Sequence, residues 1–118
     1  MSNNDLQERE YILSLLDSYK NLLTEKQRNI ILAHYEYDLS FSEISENEQI
    51  SRAAVGDTIN KALAKLEEYE QALGLVKLKK HIENTLDENK QNCTDLQKLA
   101  VYEKLLEEIK DGIWIINR

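Results

Sequence analysis

A chain of 118 residues with no proline and only three glycines has almost nothing in it to stop a helix. Proline removes a backbone donor and clashes with the preceding turn, and glycine carries the largest entropic cost when fixed. These two residues are the usual punctuation of regular structure. β-Branched runs bounded by turn residues, the mark of strands, are missing as well. The sequence therefore predicts an all-α fold, helical almost end to end. Hydrophobic residues make up 42% of it, enough for one main core, and the length favours a single domain spanning 1–118.

With so few breakers, capping residues must set the helix boundaries. Asp5 caps a first helix over 5–22, whose apolar residues Ile12, Leu15, Leu16, Tyr19, Leu22 and Leu23 recur at helical spacing on one face. Thr24 with Gln27 forms a capping box that opens a second helix over 24–37, with Ile30, Ile31, Ala33 or His34, and Tyr35 inward. Ser40 with Glu43 opens a short third helix to Glu46. Ser51 is a good N-cap for a fourth helix over 51–73, burying Val55, Ile59, Leu63, Leu66 and Leu73. Gly74 either kinks this helix or ends it, and Leu75, Leu78, Ile82 and Leu86 resume the pattern to about 88. The polar stretch 87–93 is expected to be a loop, and Thr94 with Gln97 to cap a last helix over 94–111.

Residues 40–66, SFSEISENEQISRAAVGDTINKALAKL, constrain function most. Phe41 and Ile44 pack a short helix, Ile50 stands in the turn, and Val55 and Ile59 anchor the next helix. This is the arrangement of a helix-turn-helix, in which the second helix buries one face and offers the other to a major groove. The core of that unit spans about 22–70, with a helical extension over about 75–118. The offered positions are Arg52, Ala53, Gly56, Asp57, Asn60 and Lys61, with Ser51 at the cap and Lys65 one turn beyond Lys61. Arg52 can meet a phosphate or a guanine, or pair with Glu48 at the helix start.

The stretch LLTEKQRNIILAHYEYDLSFSEISENEQISRAAVGDTINKALAKLEEYE resembles the YlxM family of bacterial proteins, which is similar in turn to region four of sigma factors. The likeness covers roughly residues 6–80. It rests on the LTEKQR opening, the S-x-x-EI entry to the turn, the ISR-x-AV start of the recognition helix and the LEEYE continuation. It implies a regulatory or accessory role in the signal recognition particle pathway, with the targeting GTPase or its RNA as partner. The alternative it leaves open is a sequence-specific DNA-binding transcription regulator. A third possibility is a purely structural dimer on an inherited scaffold.

Charge bears on that choice. The formal charge is −7, and nucleic-acid binding draws most of its affinity from neutralising phosphates. The acidity reads as spread along the chain, and residues 40–66 themselves carry four carboxylates against three cations, a net of −1. Any DNA binding is therefore expected to be weak. Lys77, Lys79, Lys80 and His81 form the one basic cluster, most simply a charged helical face.

The single cysteine, Cys93, excludes an intramolecular disulfide and suits a reducing cytosol. The opening residues do not have the pattern of a signal peptide, and no apolar run is long enough to span a membrane, so the expectation is a cytoplasmic protein. No nucleotide-binding loop, zinc spacing or nucleophile-with-base pattern occurs, so neither an enzyme nor a cofactor is expected. Leu99, Tyr102, Leu106, Ile109 and Ile113 alternate spacings of three and four, and Trp114 extends them in IWII. Such a seam is expected to carry a homodimer.

Overall fold

The computed structural model describes residues 3–110. All regular structure among them is helical: α1 (Asn3–Tyr19), one 3₁₀ turn (Lys20–Leu22), α2 (Glu25–Tyr35), α3 (Phe41–Glu48), α4 (Arg52–Leu73), α5 (Leu75–Gln91) and α6 (Leu96–Lys110). The caps sit where side-chain oxygens satisfy the first free backbone amides. Thr24 and Ser40 each close a full capping box with Gln27 and Glu43, and Ser51 accepts from the Ala54 amide at 3.0 Å.

Several boundaries differ from the sequence reading. α1 begins at Asn3, so Asp5 lies in its first turn rather than at its N-cap, and α3 runs on to Glu48. The first helix tightens into a 3₁₀ turn at Lys20, which turns Leu22 outward, 41% exposed. α5 runs on through 87–91, so the connection to α6 shrinks to residues 92–95. α6 is capped by Asp95 and not by Thr94, the Asp95 carboxylate accepting from the amides of Gln97 at 2.9 Å and Lys98 at 3.4 Å. Leu73 and Leu78, expected inward, are exposed.

α4 is the spine, packed by α1, α2 and α3. Its two stripes serve two clusters. Ala62 and Leu66 join Ile12, Leu15, Leu16, Tyr19 and Leu23 of the first helical stretch, with Ile31. Val55 and Ile59 join Ile30 of α2 and Ile44 of α3, with Leu63 and Tyr35 touching both clusters. Each such aliphatic, fully withdrawn from water, contributes about 1.5–3 kcal/mol. Arg9 of α1 fixes the end of α2 by donating to the Tyr35 carbonyl at 2.7 Å and pairing with Asp38.

Gly74 ends α4 and starts α5 in one residue, at φ 64°, the left-handed region that only glycine enters freely. A glycine has no side chain to cap the new helix. The work passes to α1 and α4: the Leu75 amide donates to the Tyr19 hydroxyl at 2.9 Å, and the Val76 and Lys77 amides donate to the Glu70 carboxylate at 3.1 and 3.2 Å. Tyr19 in turn donates to Glu70 at 2.6 Å. Burial first, and this bond to a carboxylate second, push the Tyr19 phenol up to about 12. The node sets the angle at which the α5–α6 hairpin leaves the helix-turn-helix.

Candidate nucleic-acid interface

The helix-turn-helix expected over 40–66 is present as α3, a tight turn and α4. Gln49 takes the left-handed conformation at φ 57°, and its amide donates to the Ser45 carbonyl; the Ile50 amide reaches the same oxygen at 3.1 Å. This closes α3 and aims the chain at the Ser51 cap. Ile44, Val55 and Ile59, each at most 3% exposed, lock the two helices together over Ile30.

The opposite face of α4 carries the residues that would meet a groove. Arg52, Ala53, Asp57, Asn60 and Lys61 are exposed together on it, and Lys65 is half-buried one turn on. Gly56 is not presented. A side chain there would point at the Phe41 ring, with 3.4 Å to its nearest atom, an ordinary contact distance, so this position faces α3 rather than a groove. Ser51 is exposed, its hydroxyl oxygen accepting from the Ala54 amide as the cap while its O–H remains a donor.

Two of the three cations on this face already have partners. Lys61 pairs with Asp57 one turn before it, at 3.1 Å, and Arg52 donates to the Ser42 hydroxyl at 3.4 Å rather than pairing with Glu48. An exposed pair of this kind is worth only about 0.3–0.5 kcal/mol, so a phosphate could displace it. What opposes DNA is the carboxylate left behind, together with Glu43, Glu46 and Glu48, all exposed on α3. Sequence reading alone did not find Ser42 as the Arg52 partner, because the contact spans the turn.

The acidity is not spread along the chain. Residues 1–74 hold fourteen carboxylates against seven Lys and Arg; residues 75–118 hold eight of each. The whole net charge of −7 therefore lies in residues 1–74, α1 included, and the extension is neutral.

The remaining expected residues fall elsewhere. Leu106 and Ile109 are buried where α6 packs on α5, and Leu99 and Tyr102 are half-buried. Ile113 and Trp114 lie outside the described residues. Lys77, Lys80 and His81 are exposed near the start of α5 and Lys79 is half-buried there. His34 is a boundary histidine, its Nδ1 2.9 Å from the Leu39 carbonyl and its ring against Tyr35 and Phe41. Among the described residues, no group of three or more His, Cys, Asp or Glu is placed to hold a metal ion. No helix among them is long and apolar enough to cross a membrane.

Residues 6–109 match the family UPF0122, described as "Putative helix-turn-helix protein, YlxM / p13 like". The chain belongs to this family. Among its relatives, the UPF0122 protein of Clostridium kluyveri is 40% identical over 111 residues, covering 92% of this chain and 96% of that protein. The UPF0122 protein of Fusobacterium nucleatum is 39% identical over 95 residues, 80% of this chain and 92% of its own length. That of Ureaplasma parvum is 39% identical over 103 residues, 87% and 93% respectively. No solved structure matches the chain. The family match covers α6 nearly to its end, so the hairpin belongs to the family along with the helix-turn-helix, beyond the 6–80 span of the sequence resemblance.

Proposed function

We propose that the UPF0122 helix-turn-helix here is a docking unit for a protein partner rather than a reader of DNA. One observation carries this reading: the full −7 sits in residues 1–74, and an acid, Asp57, stands in the middle of the face that would meet a groove. Three cations, Arg52, Lys61 and Lys65, give a log–log salt slope of about −3 at most, too few phosphate contacts for tight binding.

The partner assigned by the resemblance to YlxM proteins is the GTPase of the signal recognition particle. Its chemistry suits the charge. A protein that binds RNA carries a basic surface, and an acidic unit meets such a surface with complementary potential and a faster encounter. The same acidity disfavours direct contact with the particle's RNA. The role is accessory: the helix-turn-helix occupies part of the basic surface and the neutral hairpin is left free.

Binding of purified GTPase to the full chain, followed by calorimetry across a salt series, tests this. Affinity should fall as salt rises, and Glu46→Lys with Asp57→Lys should weaken it, both side chains being exposed and outside the core and the caps. Loss of binding only on nuclease treatment would assign the contact to RNA. Tight, sequence-specific DNA binding would establish the transcription-regulator alternative instead.

A further inference from the structure

The apolar surface of α6 is wider than one neighbour can cover. Its centre packs on α5, which leaves Leu106 and Ile109 only 5% and 7% exposed. On the flank, Val101 and Leu105 stand one turn apart at i, i+4 and are 55% and 40% exposed. A large aliphatic left in water forfeits its transfer free energy, and two on adjacent turns make a patch and not scattered points.

We propose that this flank of the α5–α6 hairpin is a two-fold interface with a second copy of the chain, Val101 and Leu105 at its centre. Charge selects that occupant. Residues 75–118 carry eight cations and eight anions, so two hairpins meet without net repulsion. Residues 1–74, seven acids in excess, would repel their own copies. A two-fold axis makes one patch complementary to itself, the commonest closed solution for a single apolar surface. The seam of Leu106 and Ile109 is used within the chain, so the interface is displaced to its flank.

Sedimentation equilibrium of the full chain at micromolar concentration tests this. The wild type should sediment as a dimer that added salt does not dissociate. Val101→Glu with Leu105→Glu should weaken association about 100-fold, two central side chains at about tenfold each, and yield monomer. Its far-UV circular dichroism should match the wild type, both residues being exposed; should the glutamates unfold the hairpin, Val101→Ser with Leu105→Ser carries the same test. A monomeric wild type would overturn the proposal, the flank then being covered by residues 111–118 or by another protein. A double variant that remains dimeric would overturn it equally, as would a dimer lost only on deleting residues 112–118.

Discussion

Replacing Tyr19 by Phe removes one oxygen from a fully buried ring and leaves the packing intact. That oxygen makes two bonds, donating to Glu70 at 2.6 Å and accepting from the Leu75 amide at 2.9 Å. The first is a charge-assisted bond and the second satisfies a helix N-terminus that Gly74 has no side chain to cap. An amide left unpaired costs about 1–3 kcal/mol and a lost bond to a charge about 1.5–3, partly overlapping, so the loss should be about 2–3 kcal/mol. For a domain of this size that lowers the thermal midpoint by about 8–12 °C.

The pH dependence is a second signature of Tyr19. Below pH 10 the phenol is neutral in both folded and unfolded chain. Between 10, its ordinary value, and about 12, its value in the fold, only the unfolded chain gives up the proton. The wild type should therefore lose stability as pH rises through that window, and Tyr19→Phe should lose less. Urea unfolding followed by circular dichroism, with amide exchange at Leu75, Val76 and Lys77, reads both effects. A variant within about 0.5 kcal/mol of wild type, the range of an ordinary surface change, would refute the capping role.

Gly74→Ala meets nothing within 4 Å and so should cost only the left-handed backbone conformation, about 1 kcal/mol, measured by urea unfolding. Ile59→Ala should cost about 2–4 kcal/mol, since it empties part of the cluster that joins α2, α3 and α4. Ser51→Ala should cost about 1 kcal/mol by leaving the Ala54 amide without its cap bond, again read by urea unfolding.

The caps were legible because they are local: Thr24–Gln27, Ser40–Glu43 and Ser51 act on amides two or three residues away. Asp95 was missed because Thr94 beside it satisfies the same pattern, and only backbone geometry decides which oxygen reaches the amides. The loop expected over 87–93 shrank because Glu, Lys and Gln are good helix formers that need no apolar face to continue a helix. Leu22 and Leu73 fit a helical period, yet each stands at an element's end, where the chain turns away from the core. The Tyr19–Glu70 node joins residues 51 apart and leaves no local pattern to read. The charge partition could be counted from residues, but it acquires meaning only once Gly74 is known to divide the two units. On the recognition face, exposure of Arg52, Asp57, Asn60 and Lys61 followed from periodicity, whereas the contact of half-buried Gly56 with Phe41 depends on how closely two helices approach.

The most direct test of the docking account is the affinity of the full chain for double-stranded DNA of random and selected sequence, followed by fluorescence anisotropy across a salt series. The account predicts binding no tighter than micromolar at physiological salt, no preference among sequences, and a log–log slope of about −3 or shallower. Nanomolar binding to one sequence at physiological salt, lost when Arg52 and Lys61 are replaced by Ala, would contradict it.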